Sequence, residues 1–160
     1  MAYDAGLPPL SQIFAMAFDG DTIFAGLYAK GLYAWSENKH ENKHRWTKAG
    51  NVQPLVLAAT GGSLAVGHNP GGIYWSKKPK TFEWTKASGD FESDAPVWEL
   101  ASGDKLVLAG MADGIFRSED HGRTWSRFLK GLPAKSPGVA FLVRGNTIYA
   151  GVVIISRSRK

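Results

Sequence analysis

The sequence predicts an all-β fold in which residues 1–160 form a single domain of four similar units. The first observation is a repeat, because a small residue followed by glycine returns every 41 to 43 residues. The second is the abundance of short segments rich in β-branched and aromatic residues, each closed by a turn, which is typical of strands. The third is that apolar residues nowhere keep the 3.6-residue period of a helix. The repeated steps are Ala25-Gly26, Val66-Gly67, Ala109-Gly110 and Ala150-Gly151.

The full unit has the pattern of four strands in the same order, and the last unit lacks the outermost one. A short apolar strand comes first, at residues 13–18, 55–59, 97–101 and 139–143. The second strand follows a glycine-bearing turn and ends at the small-residue–glycine step, at residues 22–25, 63–66, 106–109 and 147–150. The third carries a glycine, an aliphatic residue and an aromatic residue, at residues 31–33, 72–74 and 114–116. The fourth begins at Trp46, Trp84 or Trp125, and the last unit has no such tryptophan.

Four-stranded units of about 40 residues are the blades of a β-propeller. We expect blades at approximately residues 10–50, 51–92, 93–134 and 135–160, the last of which ends before its outermost strand. Gly6-Leu7-Pro8 matches Gly131-Leu132-Pro133 at the same distance from the next glycine step. Residues 1–7 are therefore predicted to complete the last blade.

Two closures of the ring are compatible with this pattern. Four blades close on themselves, or two chains pair so that eight blades form one ring. An open half-ring would leave apolar sheet faces and strand edges in water, which favours aggregation. We therefore favour a homodimer with an eight-bladed ring.

The segment Ser118-Glu119-Asp120-His121-Gly122-Arg123-Thr124-Trp125 is a polar turn that ends on an aromatic residue. Its pattern S-x-D-x-G-x-T-W resembles the Asp-box (BNR) repeat of sialidase-like and photosystem-assembly-factor-like propellers. We expect the Asp120 carboxylate to accept backbone N–H groups, Gly122 to have a positive φ and Trp125 to pack between strands. These turn residues are interpreted as structural: Ser118, Asp120, Gly122, Thr124 and Trp125.

The S-x-D-x-G-x-T-W pattern is incomplete in the other units. Ser36 precedes a tandem duplication of Glu-Asn-Lys-His at residues 37–44, which is expected to stretch the turn before Trp46. The second unit keeps Ser76 and Trp84 but has neither the Asp nor the Gly between them.

Resemblance to sialidases implies three arginines that clamp a carboxylate, a tyrosine nucleophile with a glutamate partner, and an aspartate acid/base. The arginines here lie mostly in or beside the box or near residue 160, so no catalytic residue is carried over. The chain has no cysteine, and His40 and His44 lie in a predicted loop, so neither a metal site nor a cofactor is expected. The enzymatic alternative is a glycoside-acting protein that uses paired carboxylates among Glu92, Asp94 and Glu99.

Two groups of residues are candidates for ligand binding. Loops that join second and third strands usually open on one face, and they carry polar and aromatic side chains. These are Tyr28, Lys30, His68, Asn69 and Asp113. The long connection at residues 88–96 and the strand after it carry the other group, Phe91, Glu92, Asp94, Trp98 and Glu99.

The sequence thus favours a non-enzymatic binding or scaffold propeller that recognises a carbohydrate or a protein on a ring face. The alternatives are the glycoside-acting enzyme and a purely structural propeller fragment. The net charge of +5 is scattered, which disfavours a nucleic-acid groove. No signal peptide or stretch long enough to cross a membrane is visible, so we expect no membrane partner and, by default, a cytoplasmic protein.

Overall fold

The computed structural model describes residues 6–38, 43–68, 70–77, 79, 81, 83–91, 94–103, 105–128, 131, 137–144 and 147–152. Within these residues all regular elements are β-strands, which confirms the predicted all-β class. No helix there is long and apolar enough to cross a membrane. The strands are β1 Ile13–Asp19, β2 Thr22–Leu27, β3 Gly31–Asn38, β4 Lys43–Gly50, β5 Pro54–Thr60, β6 Ser63–His68, β7 Ile73–Ser76, β8 Thr85–Lys86, β9 Ser88–Gly89, β10 Val97–Ser102, β11 Val107–Met111, β12 Gly114–Ser118, β13 Thr124–Arg127, β14 Gly138–Arg144 and β15 Thr147–Val152.

The strands form separate sheets, one for each predicted unit. The first sheet has the order β1-β2-β3-β4, and the second has the order β5-β6-β7-β8. The third has the order β10-β11-β12-β13-β9, and the described part of the last unit is the pair β14-β15. Consecutive strands within a sheet pair in the antiparallel direction.

All four sheets share one register between their first two strands. Ala15 pairs with Gly26, Val56 with Gly67, Glu99 with Gly110, and Ala140 with Gly151. A β-bulge precedes this pair in every sheet. The sequence repeat is therefore a repeat of the same hydrogen-bonded ladder.

The repeated glycine has a packing role between sheets. A Cβ atom at Gly26 would lie 2.8 Å from the Cβ of Pro54, and one at Gly67 would lie 2.9 Å from the Cβ of Val97. At Gly110 it would lie 2.1 Å from the carbonyl oxygen of Gly138. In each case the first strand of the following sheet passes directly over the glycine, so only a residue without a side chain fits.

The sheets stack face to face in chain order. The first strands lie side by side as β1, β5, β10 and β14. One apolar cluster lies between the first and second sheets and includes Phe24, Leu32, Leu57 and Leu64. Another lies between the second and third sheets and includes Ile73, Leu100, Met111, Phe116 and Trp125. Innermost strands packed side by side around a common axis, with apolar clusters between sheets, are the architecture of a β-propeller.

Two segments differ from the expectation. Residues 88–96 were expected to be a loop, but Ser88–Gly89 forms β9, which pairs in parallel with β13 at the outer edge of the third sheet. The connection into this sheet therefore first follows its outer edge. In the first sheet Asn38 pairs with Lys43, so the duplicated segment extends the paired strands β3 and β4, and the predicted turn at residues 39–42 lies outside the described residues.

The predicted completion of the last blade by residues 1–7 involves residues 1–5, which lie outside the described ones. Gly6 is described, and it lies against the backbone of Trp46 in β4. Gly89 has the same relation to Trp125 in β13.

Candidate functional site

One end of the sheets gathers the loops that the sequence singled out. In an antiparallel sheet the connection between the second and third strands lies at the end where the first strand begins. Tyr28 and Lys30 therefore lie beside the segment that enters β1, and His68 lies at the same end of the second sheet. We call this end the ring face.

A cavity of about 250 Å³ opens on the ring face between the first and second sheets. Its lining residues are Phe14, Leu27, Tyr28, Ala29, Gln53, Pro54 and Leu55. The rings of Phe14 and Tyr28 are 5.2 Å apart between centroids, and both side chains are about half exposed. The cavity is therefore walled by an aromatic pair that water reaches.

The turn that carries Tyr28 is fixed by the backbone. The N–H of Tyr28 donates to the carbonyl oxygen of Gln12 over 2.9 Å, and Ala29 has a φ of 54°. The ammonium group of Lys30 donates to the carbonyl oxygen of Pro9. Lys30 thus holds the segment before β1 against this turn.

His68 supports the wall of the cavity. Its Nδ1 accepts the backbone N–H of Gln53 over 2.9 Å, which leaves the proton of the neutral ring on Nε2. The ring also contacts Tyr74 edge-on, with centroids 5.0 Å apart. Burial, and secondly the positive charge of Lys86, lower the pKa of His68 below its ordinary value of 6.5. Asn69 lies outside the described residues.

Asp113 holds the third sheet together. Arg127 donates from Nη2 to the Asp113 carboxylate over 2.8 Å and from Nη1 to the Asp113 carbonyl oxygen over 2.6 Å. The guanidinium group also lies 4.7 Å from the ring centroid of Phe116. Asp113 therefore links β13 to the turn between β11 and β12.

The second group of candidates is dispersed. Phe91 packs edge-on against Phe116, with centroids 5.5 Å apart, and so anchors its connection to the core. The ammonium group of Lys86 lies 2.6 Å from the exposed Asp94 carboxylate, and this hydrogen bond raises the pKa of Lys86. Glu99 lies on β10 opposite Gly110, and burial raises the pKa of its carboxyl. Trp98 is half exposed at the start of β10, and Glu92 lies outside the described residues.

Tyr28 is the one residue of the cavity lining that the sequence analysis selected, and Phe14 and Gln53 are among the lining residues that it missed. Phe14 lies in an innermost strand, which the apolar pattern assigned to the core. A signal was present, because Phe14 holds the position in the first unit that the candidate Trp98 holds in the third, one residue after the start of β10.

The turn of residues 118–125 has the local geometry expected from its sequence. The Asp120 carboxylate accepts the N–H of Thr124 over 2.8 Å, and the hydroxyls of Ser118 and Thr124 also donate to it. Gly122 has a φ of 91°, and Trp125 is buried with its Nε1 donating to the Gly122 carbonyl oxygen over 2.9 Å. Burial opposes ionisation of Asp120, but hydrogen bonds from Thr124, Ser118 and Arg123 outweigh it and lower the pKa of the carboxyl.

The described residues contain no cluster of three or more histidine, cysteine, aspartate or glutamate side chains that could hold a metal ion. Lys30 and His68 instead hydrogen-bond to backbone groups of neighbouring segments, and Asp113 and Asp94 pair with the side chains of Arg127 and Lys86. Their arrangement can shape and position a surface for a ligand.

No protein-family model matches the chain, and no curated protein matches it. Among solved structures, the computationally designed Ika4 protein has 16% identity and a TM-score of 0.66, over 95% of this chain and 92% of that one. BamB from Moraxella catarrhalis has 14% identity and a TM-score of 0.66, over 92% of this chain and 43% of that one. YCF48 from Cyanidioschyzon merolae has 14% identity and a TM-score of 0.62, over 87% of this chain and 47% of that one.

The chain spans less than half the length of BamB and of YCF48. At these identities the likeness concerns the fold, and a fold does not determine a function. The repeated ladders, the stacked sheets and these structural neighbours together establish that the chain has a β-propeller fold.

Proposed function

We propose that this chain is a non-enzymatic binding module that takes a carbohydrate or a protein segment on the ring face, at the aromatic pair Phe14 and Tyr28. One observation carries the proposal: two half-exposed aromatic rings 5.2 Å apart wall a cavity between two sheets. Ligand sites are typically concave, lined by apolar and aromatic groups, and placed between packed elements.

The size of the cavity limits what enters it. Sites for drug-sized ligands measure about 300–1,000 Å³, and this cavity of about 250 Å³ lies just below that range. It therefore accepts a single sugar ring or a single large side chain, with the rest of the ligand lying along the ring face. The C–H face of a sugar and an apolar side chain both pack on aromatic rings, whose exposure to water is otherwise unfavourable.

The surrounding polar groups favour binding over chemistry. The Nδ1 of His68 accepts a hydrogen bond from the N–H of Gln53, and the ammonium group of Lys30 donates one to the carbonyl oxygen of Pro9. Asp94 and Asp113 form ion pairs with Lys86 and Arg127. These contacts hold the loops of the ring face in one conformation, which lowers the entropic cost of binding.

We further infer that the turn of residues 118–125 is an Asp box of the BNR type. Its support is the set of hydrogen bonds that Ser118, Asp120 and Thr124 exchange, together with the positive φ of Gly122. The turn lies between β12 and β13, the outer strands of the third sheet, and so away from the cavity. Its role is then to shape the outer hairpin of the blade.

A glycan array and a peptide display screen, followed by calorimetry on the strongest hit, test the proposed binding. Tyr28→Ala should weaken binding about 10- to 30-fold, because it removes half of the aromatic pair. Tyr28→Phe keeps the ring and serves as the matched control, with an affinity within about threefold of the original. Equal affinity of Tyr28→Ala and the original chain for every hit, or no hit in either screen, would contradict the proposal.

A further inference from the structure

We propose that the two free sheet faces of this chain bind each other between two copies, so that the pair forms one closed propeller ring. The first face consists of Phe14, Met16 and Phe18 on β1. The last face consists of Ala140 and Leu142 on β14 with Tyr149 on β15. Both are apolar faces at opposite ends of the row of sheets.

The first face corresponds to a surface that is buried elsewhere in the chain. Met16 pairs with Ala25, as Leu57 pairs with Val66 in the second sheet. The preceding sheet covers Leu57, which is 8% exposed, whereas Met16 is 47% exposed. Phe18, two residues along the same strand, is 65% exposed. β1 thus exposes the surface that, in the second sheet, is covered by the sheet before it.

The last face is the complementary surface. Leu142 pairs with Tyr149, as Ala17 pairs with Phe24 in the first sheet. The second sheet covers Phe24, which is 1% exposed, whereas Tyr149 is 58% exposed and Leu142 is 60% exposed. β14 and β15 thus expose the surface that, in the first sheet, is covered by the sheet after it.

Gly151 gives an independent observation. In the other three sheets the equivalent glycine leaves room for the first strand of the next sheet. Around Gly151 an added Cβ would meet nothing nearer than Ala140 of its own sheet, at 3.6 Å. Ile13 holds the position in β1 that Pro54 and Val97 hold when they cover Gly26 and Gly67. The Ile13 of a second copy would therefore cover Gly151.

A second copy fits these faces better than closure within the chain. The two faces are halves of the interface that the chain already makes three times between consecutive sheets. Both faces are exposed at the same time in the described residues. Bringing them together within one chain would need a different rotation between neighbouring sheets, and this would disturb the packing that buries Leu57 and Leu100. Repeated head-to-tail contacts of this kind close into a ring when the rotation allows.

Size-exclusion chromatography with light scattering tests the pairing. The original chain should have twice the chain mass of 17.3 kDa. Phe18→Glu and Leu142→Lys should each give single chains, with the dissociation constant raised at least about 100-fold, because each change buries an unpaired charge in both interfaces of the ring. Both side chains are exposed in the single chain, so its fold should be unchanged, as circular dichroism would show.

Mixing the two variants distinguishes the proposed geometry from others. In the mixed pair one interface is unaltered, and the other brings the introduced carboxylate and the introduced ammonium group together in place of the apolar pair. The mixture should therefore regain the double mass. Leu10→Glu is the control and should stay paired. Leu10 holds the position of Asn51, which is exposed although its sheet has neighbours on both sides.

Three outcomes would overturn the proposal. The first is a mass of 17.3 kDa for the original chain at 100 μM, about the upper end of practical concentrations. The second is a pair that Phe18→Glu dissociates and Leu142→Lys does not, which would mean that the first face binds itself. The third is a mixture of folded variants that stays at the single mass. Should either variant misfold, Met16→Glu or Tyr149→Lys replaces it on the same face.

Discussion

The Asp120 carboxylate organises its turn by accepting hydrogen bonds from residues on both sides. The Ser118 hydroxyl donates to it from the end of β12, and the N–H and hydroxyl of Thr124 donate from the start of β13. The turn also carries His121 and Gly122 at positive φ, a conformation that glycine adopts without strain. These local bonds bring Trp125 into the core between the second and third sheets.

Replacing Asp120 with Asn should lower the free energy of unfolding by about 1–2 kcal/mol at neutral pH, a modest value because the site is partly exposed. The pKa of the folded carboxyl lies below its ordinary value of 3.8, so the ionised form stabilises the fold above about that pH. This contribution is lost as the pH falls through the lowered pKa. Urea unfolding at several pH values should therefore show the two proteins converging in acid.

Glu119→Gln is the control for this measurement. Glu119 is exposed and forms a surface ion pair with Arg117 at 3.2 Å, so its loss should cost no more than about 0.5 kcal/mol. A difference between the original chain and Asp120→Asn that did not change with pH would refute the assigned role of the charge.

At the scale of the strands, the repeated glycine connects the sequence period to the stacking of sheets. Gly67 lies at the end of β6, where Val97 of the next innermost strand crosses it. The same contact recurs at Gly26 and Gly110. The glycine spacing is thus the spacing of crossing points between sheets, and the bulge beside each glycine is part of the same arrangement.

Gly67→Ala should destabilise the chain by about 1–3 kcal/mol, because the added methyl group would overlap Val56 and Val97 in a packed interface. Thermal unfolding measures the loss. The matched control is Gly151→Ala, measured in the Phe18→Glu background so that association does not contribute. Its effect should stay within about 0.5 kcal/mol, as is usual away from packed sites. Equal losses at both glycines would mean that the backbone around the glycine, and not contact with the next sheet, explains the repeat, because strand propensity alone favours alanine over glycine.

At the scale of the whole molecule, the chain is a row of sheets with an apolar face at each end. Phe14 belongs both to the first face and to the ring-face cavity. A second copy seated on the first face would therefore border the proposed binding site. Assembly and ligand binding are then predicted to share this one aromatic side chain.

Unfolding should depend on protein concentration if two copies form the ring. A hundredfold rise in concentration stabilises the pair by about 2.7 kcal/mol, which corresponds to a rise in Tm of about 2–5 °C. Scanning calorimetry from 1 to about 100 μM gives this comparison. Leu10→Glu should shift as the original chain does, whereas Phe18→Glu should not shift. A Tm of the original chain that is independent of concentration would argue against the pairing.

The repeat is read directly from the sequence. The order of the strands along the chain and the turn around Asp120 also follow from it, because they depend on alternation or hydrogen bonds within a few residues. The tertiary structure decided which side chains meet. Phe14 joins Tyr28, Asp94 joins Lys86, and β9 lies along β13, since each pair is brought together by the packing of strands and sheets. No short window of sequence specifies that packing, and the candidate site depends on it.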